Sequence, residues 1–241
     1  MRLFTILLLT AVFACLSTPF AVAAEPASPN NHPPAGFIAL FNGHDLSGWK
    51  GLAVPNGPVA VAKMSPDQLA EAQKKADQRM RDHWRVEDGM LIFDGKGDSL
   101  VADKEYGEYE LQLDWKIDRG GDSGIYVRGT PQIQIWDPDF PEYEKLGSKK
   151  GSGGLWNNKK NDRWPLVKAD KPIGRWNHFR IKVVGEKVTV HLNNILVTDD
   201  VVLENYWEPA KPLYPTGTIE LQAHLHPLYV KNVYLKKLPK P

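Results

Sequence analysis

The segment YELQLDWKI, residues 109–117, decides the fold class of this chain. Its apolar residues Leu111, Leu113, Trp115 and Ile117 alternate with the polar residues between them. Because successive side chains of a β-strand point to opposite faces, this period of two predicts a strand with one core face and one polar face.

The same alternation recurs along the chain. It is found in IYVR (125–128), QIQIW (132–136) and IELQAH (219–224), and comparable strands bounded by Gly, Pro, Asn or Asp follow one another from Phe37 onward. Short strands separated by turn residues are typical of an all-β domain. We therefore predict an all-β fold, a sandwich of two sheets.

One segment breaks this pattern and predicts a helix. Ser65 suits the N-cap, Pro66 suits the first helical position, and Gln68 completes a capping box. Apolar residues then follow at helical spacing, which predicts one amphipathic helix over about 66–81. We expect a surface insertion packed on the sandwich, with a helix that binds a partner as the alternative.

The first 24 residues predict a secretory signal peptide. Arg2 precedes an apolar run over residues 3–15, and small residues occupy positions 21–24. The apolar run is short for a transmembrane helix, so we expect cleavage and export to the periplasm or the extracellular space. The alternative is a lipoprotein signal in which Cys15 becomes the lipidated residue.

Composition narrows the class of protein. The 30 Lys and Arg residues balance 29 Asp and Glu residues, which leaves no basic surface for nucleic acid. A single Cys excludes a disulfide scaffold and a cysteine-rich zinc module. After a disordered leader over residues 25–35, we predict a single β-sandwich domain over residues 36–241 without a transmembrane segment. The oligomeric state stays open.

Four strands are expected to share an outer face that is rich in Gln, Tyr, Trp, Arg and His, whereas solvated strand faces favour Lys, Glu and Thr. Planar hydrogen-bonding groups and aromatic rings suit a sugar, whose hydroxyls need donors and acceptors. We therefore predict a saccharide-binding cleft on a curved sheet, with an ordinary polar surface as the alternative. The candidate binding residues are Tyr126, Gln134, Trp136, Trp156, Asn157 and Gln222.

Eight phrases in this order resemble one family of secreted bacterial proteins, the 3-keto-disaccharide hydrolase or 3-keto-glucoside lyase/hydratase domain. They are LFNGHDLSGW (40–49), WRVEDG (84–89), GDSGIYVRG (121–129), QIQIWD (132–137), GSGGLWNN (151–158), GRWN (174–177), ENYW (204–207) and GTIELQAH (217–224). The sequence departs from the family at Leu225, where Gly is usual, and at Trp156, where Tyr is common. The resemblance implies a concanavalin-like jelly roll that acts on oxidised glucosides outside the cytoplasm.

The implied chemistry is elimination followed by hydration. A ketone at carbon 3 of a glucoside acidifies the proton on carbon 2, so a base can remove that proton and the enolate can expel the group on carbon 1. Water then adds back, and the net reaction is hydrolysis. Such a reaction needs a general base, a group that stabilises the enolate oxygen, and an acid for the leaving group.

The residues offer candidates for each role. His224 is the candidate base, because imidazoles titrate near neutral pH, and Arg128 is the candidate cation for the enolate oxygen. The carboxylates that could serve as acids or orienting groups are Asp114, Asp122 and Glu220. No cofactor is certain.

Other interpretations of these residues stay open. Asp122 could stabilise a tight turn, and Arg128 could form a cross-strand ion pair. His224 and His226 could hold a divalent metal with a nearby carboxylate.

Two other functions compete with this one. Glu110, Gln112 and Asp114 occupy the spacing of the catalytic carboxylates in laminarinase-type glycosidases, but Gln replaces the central carboxylate and Asp the last one. A lectin-like module that binds saccharide through Tyr126, Trp136 and Trp156 without catalysis is the second alternative.

Overall fold

The computed structural model describes residues 30–55, 57–129 and 132–240. The predicted signal peptide and the first part of the predicted leader lie outside these residues. Within the described ranges, thirteen strands and two α-helices build the fold, with two short 3-10 segments. None of the helices in these ranges combines the length and the apolarity needed to cross a membrane.

The elements follow one another in the chain with these bounds. The strands are β1 (Ile38–Ala39), β2 (Trp49–Gly51), β3 (Trp84–Glu87), β4 (Met90–Phe93), β5 (Leu100–Tyr106), β6 (Tyr109–Ile117), β7 (Asp122–Tyr126), β8 (Gln132–Trp136), β9 (Asn177–Val184), β10 (Lys187–Leu192), β11 (Ile195–Val202), β12 (Gly217–Leu221) and β13 (Leu228–Lys237). The helices are α1 (Gly57–Val61) and α2 (Pro66–His83), and the 3-10 segments are Pro141–Leu146 and Ser148–Lys150.

Two antiparallel sheets form the sandwich. In the described residues the larger sheet has eight strands in the order β11-β10-β9-β6-β13-β4-β3, with β1 also paired to β13, and the smaller sheet has the order β2-β5-β12-β7-β8. This architecture confirms the predicted all-β, two-sheet jelly-roll fold.

The inner faces of the two sheets supply the core. Leu111, Leu113 and Trp115 of β6 are buried at alternate positions, as the sequence predicts, and they belong to one cluster with Ile133 of β8 and Ile219 of β12. Each fully buried aliphatic side chain of this kind contributes about 1.5–3 kcal/mol to the hydrophobic stabilisation. Because the inner faces are largely apolar, most polar residues of the strands lie on the outer faces.

The expectation that four strands share one outer face is wrong for β6. That strand lies in the larger sheet, between β9 and β13, whereas β7, β8 and β12 lie in the smaller sheet. The outward residues of β6 therefore lie on the opposite side of the sandwich. Alternation specifies which face of a strand is polar, but it carries no information about the sheet that the strand joins.

Helix α2 begins at Pro66, as predicted, with the complete Ser65 capping box, and it continues to His83. It packs on β2, where a Cβ atom on Gly51 would lie 2.2 Å from the carbonyl oxygen of Ala76. A glycine is therefore required for the backbones to approach so closely. The shorter helix α1 was not expected from the sequence, and it lies beside α2 at one end of the smaller sheet.

Candidate functional site

Three neighbouring strands place polar side chains in rows across the outer face of the smaller sheet. From β12 through β7 to β8, the rows are Glu220–Tyr126–Gln132, then Gln222–Gly124–Gln134, then Asp122–Trp136 at the start of β7. Asp122 and Tyr126 are four residues apart on one strand, so their Cα atoms are separated by about 13 Å. The strip lined by Asp122, Tyr126, Glu220, Gln222 and His224 is called the trough below.

The first feature of the trough is a carboxylate–imidazole pair. Nδ1 of His224 lies 3.2 Å from Oδ2 of Asp122, in ion-pair contact but off the line of a hydrogen bond. The imidazole is 43% exposed and the carboxylate 18% exposed, so the pair faces the trough with the imidazole nearer to solvent. A carboxylate on Nδ1 orients the ring and leaves Nε2 for proton transfer.

Burial acts on the Asp122 carboxyl and raises its pKa, while the neighbouring His224 and a hydrogen bond from Gln134 oppose that shift. His226 opposes it too, and Nδ1 of this second histidine is buried without a hydrogen-bond partner in the described part of the chain. Leu225, between the two histidines, has a φ of 53°. A left-handed backbone favours glycine, so Leu225 holds this conformation at a steric cost.

A chain of amide groups supports the pair from below. Nε2 of Gln134 donates to Oδ1 of Asp122 at 2.7 Å, and Oε1 of Gln134 accepts from Nε2 of Gln132 at 3.0 Å. Gln132 Nε2 also donates to Oε1 of Gln222 at 2.7 Å. Gln132 and Gln134 are buried, so this chain connects the two sides of the trough within the protein.

Because Gly124 has no side chain, there is space above it for the hydrogen-bonded glutamine side chains. A Cβ atom there would lie 2.4 Å from both Cγ and Nε2 of Gln132. The side chain of Gln132 therefore crosses β7 over the glycine to reach Gln222. Sequence reasoning did not select Gln132 as a site residue, although its place beside Gln134 on the same strand face is the signal that could have found it.

Glu220 is the second acid–base group of the trough. Burial raises the pKa of its carboxyl from 4.5 to about 7, and a hydrogen bond from Ser99 opposes the shift. It stands directly across from Tyr126, whose pKa burial also raises. A carboxyl group with a pKa near 7 is protonated in a large fraction of molecules at neutral pH and can donate a proton.

Beyond Glu220 the trough opens into a cavity of about 790 Å³ between the smaller sheet and the two helices. We call it the insertion cavity. Glu220 and Tyr126 line both the trough and this cavity, and apolar side chains of α1, α2 and the segment after β2 line one side of it. Trp207 also lines the cavity. In the sequence its segment, ENYW (204–207), contributed only to the resemblance to the family, so Trp207 was not predicted as a site residue.

Arg128, the predicted cation for the enolate oxygen, is engaged with protein groups. Its side chain is 3% exposed, and its guanidinium pairs with Glu108 at 3.1 Å and donates to the carbonyl oxygens of Gly107 and Gly185. Strand β7 ends at Tyr126, and Arg128 has a φ of 53°, so the outward alternation does not extend to it. Arg128 does form an ion pair, as the alternative interpretation expected. The sequence did not indicate that its partner is Glu108.

Asp114 is likewise separated from the trough. It lies on the outer face of the larger sheet, where Oδ1 contacts Nδ1 of His178 at 2.7 Å and Oδ2 accepts from Nδ2 of Asn232 at 2.7 Å. Glu110 and Gln112 accompany it on β6. The laminarinase-type carboxylate positions are therefore on the side of the sandwich that does not contain the trough.

Three of the predicted binding residues are engaged with the protein itself. Trp136 is 2% exposed and donates from Nε1 to the carbonyl oxygen of Gly151. Trp156 is half-buried, with the guanidinium of Arg163 3.8 Å from its ring centroid. Asn157 accepts a hydrogen bond from the backbone of β8. The segment after Lys150 pairs with the edge of β8, and its Trp156 and Trp164 rings contact the ring of Trp136, which the strand pattern could not show.

The structure thus brings together Asp122, Tyr126, Gln134, Glu220, Gln222 and His224 among the predicted site residues. In the ranges described, no group of three or more His, Cys, Asp or Glu side chains is arranged to hold a metal ion. The imidazole of His224 and the high-pKa carboxyl of Glu220 give the trough two groups that can exchange protons.

Comparison with known proteins gives a family match. A family model described as the 3-keto-alpha-glucoside-1,2-lyase-like domain matches residues 36–236. A curated protein of Bacteroides thetaiotaomicron, named 3-keto-disaccharide hydrolase, is 26% identical over 201 residues, which cover 70% of this chain and 58% of that protein. The chain thus spans a little over half the length of this curated relative.

Two crystal structures from Parabacteroides distasonis, both described as candidate glycosyl hydrolases, share the fold. One is 24% identical with a TM-score of 0.61, and the match covers 88% of this chain and all (100%) of that one. The other is 19% identical with a TM-score of 0.62, and the match covers 89% and 94% of the two chains. At these identities the likeness supports the architecture of the sandwich.

Proposed function

The chain belongs to the family of 3-keto-alpha-glucoside-1,2-lyase-like domains, and from this we propose that it is an enzyme that cleaves the glycosidic bond of 3-keto-glucosides and 3-keto-disaccharides by elimination and hydration. The observation that carries the proposal is the trough itself. It places the Asp122–His224 pair and the high-pKa carboxyl of Glu220 on one outer face.

In the elimination step, Nε2 of His224 removes the proton on carbon 2, and Asp122 holds the imidazole in the required orientation. The electron pair of the broken C–H bond forms the enolate of the 3-keto group. As the enolate collapses, the bond between carbon 1 and the aglycone oxygen breaks, and Glu220 gives its proton to that oxygen. The products are an unsaturated ketone and the free aglycone.

In the hydration step the roles are reversed. The Glu220 carboxylate takes a proton from water, the oxygen of that water bonds to carbon 1, and the imidazolium of His224 returns a proton to carbon 2. Both side chains regain their starting protonation state. The sum of the two steps is hydrolysis of the glycosidic bond.

Gln222 replaces Arg128 as the proposed partner of the enolate oxygen. Oε1 of Gln222 accepts from Gln132, so its Nε2 group is the end left to donate to substrate. The buried amide chain fixes this orientation before substrate binds, and preorganised donors are the effective ones in stabilising developing charge.

We also propose that the protein is exported. The basis is the predicted signal peptide, with a periplasmic or extracellular site of action for a saccharide-cleaving enzyme.

The decisive experiment incubates purified protein with a 3-keto-disaccharide and with its unoxidised parent, with and without a chelator, and follows products by mass. We expect release of the aglycone sugar from the 3-keto substrate, none from the parent, and loss of release in His224→Ala. Cleavage of the parent would indicate an ordinary glycosidase. Binding of saccharide without turnover of either compound would indicate a lectin-like module.

A further inference from the structure

We propose that the insertion cavity is the aglycone subsite and that it takes a flat, apolar aglycone, so the substrates of this protein include 3-keto-glucosides of aryl alcohols. This inference rests on the proposed function and names its substrate class. Three features of the cavity carry it.

The first feature is position. Glu220 and Tyr126 lie at the junction of the trough and the cavity. If Glu220 protonates the leaving oxygen while His224 acts on carbon 2, the sugar ring lies over Gln222 between them. The aglycone then extends past Glu220, away from His224 and into the cavity.

The second feature is the chemistry of the walls. Apolar side chains predominate, among them Leu52, Val54, Pro58, Val61, Leu69 and Val101. A second sugar would bury hydroxyl groups here, and each needs a hydrogen-bond partner to avoid a desolvation penalty. An aryl group has no such requirement and gains from the removal of its surface from water.

Polar side chains around the cavity are largely committed to protein partners. Gln73 donates to the carbonyl oxygen of Gly51 and to Asp77, and Glu105 accepts from the hydroxyl of Thr216. Lys50, Tyr126, Thr218 and Glu220 remain among the lining residues as polar groups for a ligand. These groups suit a glycosidic oxygen and polar substituents on a ring, and the apolar lining side chains outnumber them, which favours an aryl aglycone over a second sugar.

The third feature is a rigid aromatic wall. Nε1 of Trp207 donates to the carbonyl oxygen of Gly129 at 2.7 Å, and the ring of Tyr206 meets the indole edge-on with centroids 4.9 Å apart. On the other side, a Cβ atom on Gly57 would lie 2.4 Å from the indole, so α1 packs directly on it. The indole is therefore held in place before a ligand arrives. The cavity has a volume of about 790 Å³, which is the size of small-molecule sites.

The test uses Leu69→Asn, which adds a polar amide to the wall from a half-buried position of α2, and Ile195→Asn as the control on the other sheet. Turnover is measured with the 3-keto derivatives of phenyl, methyl and cellobiosyl glucosides. We expect Leu69→Asn to lower kcat/KM for the phenyl compound by about 10-fold or more and to change the other two by less than about 2-fold. The control variant should change none of them.

Binding gives a second readout that does not need catalysis. By calorimetry, unoxidised phenyl glucoside should bind the wild-type protein about 10-fold or more tightly than methyl glucoside, and Leu69→Asn should remove the difference. Equal binding of the two glucosides, or an equal effect of Leu69→Asn on all three substrates, would overturn the inference and leave the proposed function intact. Absence of turnover on every 3-keto compound would refute the proposed function, and the binding comparison would then decide alone whether the cavity takes aryl groups.

Discussion

Replacement of Glu220 by Gln tests the electrostatics of the trough without any substrate. Burial raises the pKa of this carboxyl from 4.5 to about 7, so between these values the folded protein holds a proton that the unfolded chain has released. The folded state binds more protons in this window, and its stability therefore falls as pH rises through it. A difference of about 2.5 pH units between the pKa values of the folded and unfolded states corresponds to about 3 kcal/mol of unfolding free energy.

Glu220→Gln removes the ionisation and keeps the shape. The wild-type protein should lose about 3 kcal/mol of unfolding free energy relative to the variant between about pH 4 and pH 8. Denaturant unfolding of both proteins at several pH values measures this difference. Glu105→Gln removes the same charge from an exposed position of the adjacent strand β5 and serves as the control for the general effect of lost negative charge.

Parallel stability curves for the wild type and Glu220→Gln over this range would refute the reasoning, because they would show that folding leaves the ionisation of Glu220 unchanged. The proposed role of Glu220 as the acid would then be refuted as well. If the wild type loses stability relative to Glu220→Gln as expected, the turnover rate should also decline as pH rises above about 7, since the protonated carboxyl is the active form.

Three further substitutions probe the surroundings of the trough. Gly124→Ala should destabilise the protein by about 1–3 kcal/mol and lower turnover, because the new methyl group would overlap Gln132; thermal unfolding and kinetics check this, and an unchanged melting temperature with full activity would contradict it. Asp122→Asn should lower kcat with little change in KM, because the amide misorients His224 without reaching the substrate; a rise in KM alone at constant kcat would instead assign Asp122 to sugar binding. Arg128→Ala should cost about 3–5 kcal/mol by leaving Glu108 unpaired in a buried site, while the folded fraction keeps its activity; a variant that is fully stable but inactive would restore a catalytic role to Arg128.

Arg128 and Trp136 are two of the predicted site residues that do not line the trough, and each has its own physical reason. Alternation holds only while the backbone is extended, and β7 ends at Tyr126, so a left-handed φ turns Arg128 into the protein instead of outward. Trp136 does lie on the outward face of β8, but the segment after Lys150 pairs with that strand and covers the ring. Neither event leaves a local signature in the residues concerned.

The sequence alone determined the strand pattern, the all-β class, the start of helix α2 and the outward positions of Tyr126 and Glu220, because side-chain direction along an extended strand follows from residue parity. Only the tertiary structure decided which outward faces adjoin. Asp114 and Asp122 are both outward carboxylates on neighbouring strands of the chain, yet backbone pairing assigns them to opposite sheets. Strand pairing joins residues that are distant in sequence, so the acid–base groups meet through contacts that no short segment encodes.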